Sequence, residues 1–437
     1  MVLNPRQYAG TALKNSYARD NVAGSMMPAT TIALSIVNVH PASLAEMETD
    51  MLTFGIEEEF VFLDPDTLSP AHVAPAIQRE LLATGYKITE VQHEFFQSQI
   101  EFASPIFDSR EVAVDSLSTF RTALLSVAAE HGVVVAGTGT PYQKSSAPIM
   151  TEDSRYEEIA TVVAALSQEH EINGLHVHVG IPDPESGLRC LNSIRRWLPT
   201  LMAISANSPF WCGVDTGFAS WRAIQSRRWT TAGCPPHFTD AQDYRNRVNA
   251  LIGIGGTPDS GSIAWYARLS EHQPTLEIRV ADAQLQPWSS ILLALLCRGL
   301  VATCLDFAPC SQPEPTSEFM DAALWHGARY GMSGQLVHPL HQRLVPASEA
   351  VACLLETITP ALAASEDLAA VSSLLLQLQV RGSGAQQQRA HYAIGGRDAL
   401  AVLFSSSAAP SIGFGEDDGY GDVANVPWPG SASSPVG

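Results

Sequence analysis

Four segments of the chain alternate apolar residues with carboxylate, amide, imidazole or guanidinium side chains. They are residues 53–63 (TFGIEEEFVFL), 97–104 (QSQIEFAS), 174–181 (GLHVHVGI) and 275–282 (TLEIRVAD). A period of two is typical of β-strands, whose successive side chains point to opposite faces of a sheet. Each predicted strand therefore has one apolar and one polar face. If all four share one sheet, helices cover its apolar side and the other side forms a polar concave surface.

The first segment shows this pattern and one exception to it. Its apolar face carries Phe54, Ile56, Phe60 and Phe62. Glu57 and Glu59 lie on the opposite face, beside Gly55. Glu58 falls on the apolar side, where a lone carboxylate is unexpected.

Together, the polar faces would form one cluster of acids, imidazoles and an arginine. Its members are Glu57, Glu59, Glu101, His176, His178, Glu277 and Arg279. Four carboxylates in a partly dry cleft cannot all stay ionised without cations. Oxygen-rich ligands with one imidazole suit Mg²⁺ or Mn²⁺ rather than structural zinc. Divalent ions and an arginine are the groups that phosphoryl transfer requires. This interpretation assumes that the strands are neighbours.

Each motif also has an ordinary structural explanation. Three successive glutamates are usually a solvated face, and an HVHV strand can hold two structural histidines. Glu277 and Arg279 can form a plain ion pair. The motifs together favour a site, because charged residues make up only 16% of the chain and strong β-formers flank the acids of GIEEEF.

Composition excludes several other classes of function. The 437 residues include 25 basic and 45 acidic side chains, a net charge of −20, which argues against nucleic-acid binding. The lysines are Lys14, Lys87 and Lys144, and no P-loop motif occurs. Seven cysteines without a C-x-x-C pair suggest reduced thiols in a cytoplasmic protein. The longest apolar stretch, 291–305, is too short for a membrane span and predicts a buried core helix. We therefore expect neither nucleic acid nor membrane as a partner.

The organisation of the chain follows from the same patterns. We expect a poorly ordered leader at 1–50, a catalytic domain at 51–405 and a disordered tail at 406–437 that is rich in Gly, Ser, Pro and acid. Helical periodicity predicts helices at 110–129 and 287–305. It also predicts a helical pair at 348–380, broken near Pro360.

Further motifs identify a family. In chain order they are GIEEEF (55–60), FQSQIE (96–101), EDSRY (152–156), GLHVHVGIPD (174–183), ANSPFW (206–211), DTGFASWR (215–222), TLEIRVADAQL (275–285), GARYGMSG (327–334) and GSGAQQQRAHY (382–392). Over roughly residues 52–404 the chain resembles the carboxylate–amine ligases often labelled glutamate–cysteine ligase type 2. The resemblance implies an α+β, glutamine synthetase-like fold, in which an antiparallel sheet forms an active-site funnel and helices pack on its outer face.

The resemblance also implies a reaction and a set of roles. A small-molecule carboxylate, glutamate by the family's name, takes the γ-phosphoryl group of ATP, and an amine attacks the acyl phosphate to form an amide. By position, the implied ligands of Mg²⁺ (or Mn²⁺) are Glu57, Glu59, Glu101, His176 and Glu277. Arg279 matches the arginine at the transferring phosphoryl group, so it is a candidate catalytic residue together with Glu57 and Glu59. Arg222 resembles an arginine that binds a substrate carboxylate.

Several questions stay open at this point. The side chain of His178 lies on the polar face of its predicted strand, but support of a neighbouring metal ligand or an ordinary structural role suits it better than metal binding. Arg155 and Tyr156 have no assigned role. A metal-dependent hydrolase using His176-x-His178 and a non-catalytic relative that binds nucleotide or amino acid are the alternatives. A guanidino kinase shares the implied fold, but the motif order favours the ligase. The amine acceptor is not specified, and a homo-oligomer is compatible with the sequence.

Overall fold

The alternation of the four predicted strands is realised in one antiparallel sheet. The computed structural model describes residues 51–306 and 314–408, all within one compact unit. The predicted leader at 1–50 and the predicted tail from residue 409 onward lie outside the described residues. The last helix continues to Ser407, two residues past the expected end of the domain.

The strands are β1 (Phe54–Leu63), β2 (Val91–His93), β3 (Gln99–Ala103), β4 (Val134–Ala136), β5 (Gly174–Gly180), β6 (Phe210–Trp211), β7 (Val214–Asp215), β8 (Ala267–Leu269), β9 (Thr275–Asp282), β10 (Gln335–Val337) and β11 (Leu344–Pro346). The helices are α1 (Ala74–Ala83), α2 (Arg110–Glu130), α3 (Ser154–Val163), α4 (Pro184–Ile194), α5 (Leu198–Ser205), α6 (Trp221–Ser226), α7 (Ala241–Gly253), α8 (Pro287–Asp306), α9 (Ser317–Tyr330), α10 (Ala347–Ala364), α11 (Leu368–Arg381) and α12 (Gly384–Ser407).

The main sheet brings the four predicted strands side by side. Its order is β2-β3-β1-β5-β9-β8, with β4 paired to the end of β1, and every pairing is antiparallel. The strands were therefore correctly expected to be neighbours. β1 lies at the centre, between the strand that carries Glu101 and the strand that carries His176.

Strand register places the polar residues opposite one another. Glu59 faces Glu101 across β1 and β3, and Glu57 faces His176 across β1 and β5. On the other side of β5, His178 faces Glu277 of β9. Directly opposed side chains on one face of a sheet lie about 4.5–5.5 Å apart at Cβ, so the register alone clusters these groups.

A bulge interrupts the pairing of β5 with β9. Leu175 pairs with Ala281 and Val177 pairs with Ile278, so β9 carries one extra residue beside His176. Bulges re-aim the side chains that they contain. Arg279 lies within this one.

The apolar face of the sheet packs against helices. Phe60 and Phe102 both contact Phe120 of α2, and the Phe102 ring stacks on it with centroids 4.0 Å apart. α8 packs behind β1 and β5. The buried side chains of these elements belong to one continuous core, which holds the sheet rigid beneath its polar face.

Glu58 is accounted for by a buried ion pair. Arg121 of α2 donates to it through Nε (3.0 Å) and Nη2 (2.7 Å), and the Ser290 hydroxyl of α8 donates to it as well. Glu58 is 2% exposed and Arg121 is 1% exposed. A carboxylate on the apolar face is tolerated because its charge is paired.

The predicted break near Pro360 was wrong. α10 runs through Pro360, and the chain turns only at Ser365–Asp367, where Glu366 has a φ of 59°. The buried Asp367 carboxylate pairs there with Arg298 of α8.

Three helices of the described part are long and apolar enough to cross a bilayer by length and composition alone: α2, α8 and α10. The stretch 291–305, which was predicted to be too short for a membrane span, lies in α8, and with 20 residues this helix is long enough, so the prediction was wrong on length. Of the most apolar window of α8, 72% is buried inside the protein, so its apolar side chains pack in the core as expected.

Candidate active site

A cleft of about 1580 Å³ lies over the polar face of the sheet. β1, β3, β5 and β9 contribute its floor. Helix α3 and the turn at 259–263 border it on one side, and the start of α4 and the end of α8 border it on another. Every acid and histidine predicted for the site lines this cleft.

The ligand atoms of seven cleft residues fall into three groups. Within each group the atoms lie within 4.8 Å of one another: Glu57, His178 and Glu277; Glu57, Glu101 and His176; Glu59, Glu94 and Glu101. Glu57 and Glu101 each belong to two groups, so the three groups are linked. All five predicted metal ligands are included, and His178 and Glu94 are added to them.

Glu57 is the central carboxylate. Its Oε2 lies 2.8 Å from Nδ1 of His176, and its Oε1 lies 3.1 Å from Nε2 of His178. Burial acts to raise the pKa of Glu57, but hydrogen bonds from the two imidazoles hold that pKa well below its ordinary value. Nδ1 of His178 lies 2.9 Å from the Thr275 hydroxyl, which orients the ring.

Glu59 lies beside His176. Glu59 accepts a hydrogen bond from the backbone N–H of Gly174 (2.6 Å), and its Oε1 lies 3.5 Å from Nε2 of His176. Burial, with Arg279 nearby, lowers the pKa of His176. A neutral imidazole is the form that binds metals.

Glu94 was missed by the sequence analysis. It follows β2 in the loop before β3, where no alternation marks the direction of a side chain. The Thr151 hydroxyl donates to its backbone carbonyl (2.6 Å) and fixes the loop. The only sequence signal was an acid directly before two phenylalanines, and that is weak.

Two carboxyl groups of the cluster resist ionisation. Burial and the neighbouring Glu59 raise the pKa of Glu94 to about 8. Burial and the charges of Glu57 and Glu94 raise the pKa of Glu101 well above its ordinary value. Either protons or cations must offset this concentration of negative charge.

The donor set fits magnesium or manganese. It contains five carboxylates and two imidazoles, and none of the described cysteines lines the cleft. Hard divalent cations prefer carboxylate oxygen, whereas structural zinc prefers thiolate and a closed tetrahedron.

Two arginines hold Glu277. Arg268 of β8 donates to it through Nε (2.7 Å) and Nη2 (3.2 Å), and Arg279 contacts its Oε1. Although burial opposes ionisation, the charges of Arg279 and Arg268 lower the pKa of Glu277 to about 2. Arg268 was also missed, because β8 is too short for its alternation to be recognised.

Arg222 belongs to none of the three ligand groups, but it lies next to Arg279. Its Nη2 donates to the backbone carbonyl of Arg279 (3.3 Å). Its Nε and Nη1 are buried and have no hydrogen-bond partner among the described residues. The side chain borders the cleft. Buried N–H groups of a guanidinium that have no partner can donate to an oxyanion.

Arg155 and Tyr156 have structural partners at the rim of the cleft. Arg155 pairs with Asp259 (3.2 Å) and donates to the Ser262 hydroxyl (3.1 Å), which links α3 to the turn at 259–263. The Tyr156 hydroxyl donates to the backbone carbonyl of His93 (3.1 Å).

Comparison with known proteins agrees with this architecture. Residues 53–402 match the model of glutamate–cysteine ligase family 2. Two relatives from Saccharopolyspora erythraea carry the provisional name glutamate–cysteine ligase 2. One is 35% identical over 378 residues, covering 85% of this chain and 97% of the relative. The other is 40% identical over 339 residues, covering 77% and 89%. A relative from Rhodopirellula baltica with the same provisional name is 34% identical, covering 78% and 94%.

Solved structures with low sequence identity share the fold. A glutamate–cysteine ligase from Francisella tularensis, solved in complex with AMP, superposes with a TM-score of 0.59 at 12% identity, covering 84% of this chain and 90% of that one. A bifunctional glutathione synthetase from Pasteurella multocida gives 0.59 at 16% identity, covering 82% and 52%. The predicted glutamine synthetase-like α+β fold is confirmed. The chain belongs to glutamate–cysteine ligase family 2 and is an enzyme of the C–N ligase class.

Proposed function

We propose that this enzyme is an ATP-dependent carboxylate–amine ligase that joins glutamate to an amine through an acyl phosphate. One observation carries the proposal: three linked groups of acids and imidazoles lie on the open face of the sheet, with Arg279 beside them. This arrangement suits a triphosphate, whose negative charge must be neutralised before a carboxylate can approach it.

The residues that would hold Mg²⁺ or Mn²⁺ are the predicted set Glu57, Glu59, Glu101, His176 and Glu277, extended by Glu94 and His178. When bound, the ions would supply the positive charge that screens the phosphate oxygens. Glu57 and Glu101 each belong to two of the three ligand groups. The raised pKa values of Glu94 and Glu101 support this role, because a cation removes the repulsion that opposes their ionisation.

Arg279 has the position of a group that stabilises the transferring phosphoryl. Its guanidinium is anchored by Glu277 and approaches Nδ1 of His176 (3.4 Å), while it still lines the cleft. Arg268 also pairs with Glu277, which fixes the carboxylate that anchors Arg279. Arginine presents several N–H donors in a fixed geometry that matches phosphate oxygens.

Arg222 is the candidate for binding the substrate carboxylate. Its backbone N–H donates to the Ser208 hydroxyl (3.0 Å), and Ser208 donates to the buried Asp282 (2.7 Å). The two unpaired N–H groups of Arg222 then remain for a ligand. Since the side chain is 6% exposed, a carboxylate bound there would be shielded from water.

The proposed reaction has two bond exchanges. A carboxylate oxygen of glutamate attacks the γ-phosphorus of ATP, the bond to the β-phosphate oxygen breaks, and ADP leaves. The amine nitrogen then attacks the acyl carbon, phosphate leaves with the bonding electrons, and the nitrogen loses a proton.

The test is ADP release from ATP and Mg²⁺ with glutamate and a panel of amines, with the products identified by mass spectrometry. Glu277→Gln and Glu57→Gln should abolish turnover while the fold remains intact. Glu271→Gln is the matched control, because Glu271 lines the cleft but belongs to none of the ligand groups. Wild-type activity in either site variant would refute the metal assignment. ATP breakdown that is indifferent to any acceptor would refute the ligase.

The site geometry favours the ligase over a two-histidine hydrolase. His176 and His178 belong to different ligand groups, joined through Glu57, whereas a hydrolase that used both would need them on one ion. A non-catalytic relative is disfavoured because the acids, His176 and Arg279 are all present. A cytoplasmic location stays an expectation from the cysteine pattern of the sequence.

A further inference from the structure

Aromatic side chains form one end of the cleft, beyond Glu94. The rings of His170 and Trp229 are in contact, with centroids 4.3 Å apart. Phe95 meets the edge of His170 at 6.4 Å and the ring of Tyr156 at 5.3 Å. All four side chains line the cleft. A bound substrate would meet a largely apolar surface here, with few polar atoms to orient it.

One ring nitrogen of His170 is committed to the protein. Nε1 of Trp229 donates a hydrogen bond to Nδ1 of His170 at 2.7 Å. An indole nitrogen can only donate. Nδ1 of His170 must therefore carry a lone pair and no proton.

The second ring nitrogen then carries the proton. Burial, with the charges of Arg228 and Arg222, lowers the pKa of His170 to about 3. The ring is neutral at physiological pH, so its single proton lies on Nε2.

The backbone around this pair keeps the arrangement fixed. Arg228 donates through Nη1 to the Glu169 carboxylate (2.6 Å) and through Nη2 to the Glu169 carbonyl (3.0 Å). Glu169 and Arg228, which precede His170 and Trp229 in the chain, are thus joined as well. The contacts between His170 and Trp229 and between Glu169 and Arg228 together fix the imidazole against the indole.

Nε2 of His170 is left to face the cleft. No described residue accepts a hydrogen bond from Nε2, and Nε2 is not fully buried. The side chain lines the cleft. A fixed N–H donor therefore stands in an aromatic wall, next to the positive charges of Arg222 and Arg228.

We propose that His170 is a specificity-determining residue whose Nε2–H donates to a carboxylate oxygen of the amine-bearing substrate. This inference rests on the proposed function and adds how its acceptor is held. The positive charge of the nearby Arg222 favours an anionic oxygen at this position, whereas Arg228 is paired with Glu169. The rings of Phe95 and Trp229 favour an apolar body beside that oxygen. The acceptor is therefore held by its carboxylate at His170, with its side chain against these two rings.

Two variants of His170 separate the roles of its two nitrogens. In His170→Asn, the amide oxygen can take the place of Nδ1 and accept from Trp229, but no donor reaches the position of Nε2. In His170→Gln, the amide nitrogen reaches that position and restores a donor. His272→Asn is the matched control, since His272 lines the cleft with a side chain that is 84% exposed.

The assay compares amino acids with their decarboxylated amines. The pairs are L-cysteine and cysteamine, L-2-aminobutyrate and propylamine, and L-leucine and 3-methylbutylamine, each with ATP, Mg²⁺ and glutamate. A hydrogen bond to a charged group predicts that His170→Asn raises KM for the amino acid about 10- to 100-fold. It should leave kcat/KM for the amine within about twofold, since the amine offers no acceptor oxygen. His170→Gln should recover the amino acid KM to within about threefold.

Trp229→Phe provides an independent test. It keeps the aromatic ring but removes the N–H that fixes the tautomer, so KM for the amino acid should rise about three- to tenfold. An unchanged amino acid KM in His170→Asn, or an equal loss with the amine, would overturn the inference while leaving the ligase in place. Absence of product with every acceptor would instead overturn the proposed function itself.

Discussion

Removal of Arg121 should destabilise the protein strongly, although Arg121 lies on the side of the sheet away from the cleft. Its guanidinium donates two hydrogen bonds to Glu58 and one each to the carbonyls of Leu285 (2.9 Å) and Gln284 (3.1 Å). In Arg121→Met, Glu58 keeps only Ser290 as a donor among the described residues. A buried charge that loses its partner costs about 3–5 kcal/mol.

The double variant decides whether the charge causes this loss. Glu58→Leu alone should also cost about 3–5 kcal/mol, because the guanidinium is then the unpaired charge. In Glu58→Leu with Arg121→Met no charge remains buried, and only the two carbonyls lose a donor. The double variant should therefore be more stable than the sum of the single losses by about 3 kcal/mol.

Urea unfolding, followed by fluorescence, measures these differences from the midpoints. Arg343→Met is the matched control, because the Arg343–Glu349 pair has side chains 58% and 43% exposed and should contribute less than about 1 kcal/mol. Additive losses in the cycle would refute the reasoning. So would a loss in Arg121→Met no larger than that of the control.

Three further outcomes follow from the structure. Burial raises the pKa of Glu171 to about 7 from an ordinary 4.5, so the folded state resists its ionisation and stability falls as pH rises between these values. At pH 8, Glu171→Gln should unfold at higher urea than wild type, with a free energy of unfolding larger by up to about 3 kcal/mol. Near pH 4.5 the two proteins should be equally stable. A stability difference that is constant at all pH values would contradict this. A Cβ at Gly174 would meet Nη2 of Arg222 at 2.4 Å and Nε2 of His176 at 3.1 Å. The shorter contact acts on the end of a long side chain, which can shift, so Gly174→Ala should raise KM for glutamate while the melting temperature stays unchanged. An unchanged KM would remove Arg222 from the binding role. Mg²⁺ should raise the melting temperature of the wild-type protein, and at a Mg²⁺ concentration a hundred times Kd the added stability is about 2.7 kcal/mol. EDTA should reverse this rise. An equal rise in Glu101→Gln would argue against the acidic cluster as the metal site.

Sequence periodicity predicted the floor of the cleft well, because a sheet with one wet face imposes a period of two on each strand. It predicted that Glu57 and Glu59 share a face, and it marked Glu58 as an exception. It could not predict that Arg121 is the partner of Glu58, since that contact joins positions 63 residues apart. That the four strands are neighbours was an assumption, and their order in the sheet was not predicted.

The walls of the cleft were not predictable in the same way. Glu94 and His170 lie outside regular strands, where the direction of a side chain depends on tertiary contacts rather than on spacing. Arg268 lies on a strand of three residues, which is too short to show a period. The break between α10 and α11 was misplaced because a proline is visible in the sequence, whereas the partner of Asp367 is not.

The opposition of Glu57 to His176 and of Glu59 to Glu101 restricts how this enzyme can diversify. Inserting or deleting one residue within β1 would turn both acids into the apolar core and dismantle the ligand groups at once. Length changes are tolerable only outside these strands, in segments such as the turn at 254–262 and the loop before β2. Relatives that handle other substrates should therefore differ in those rim segments, while the strand lengths across the floor stay fixed.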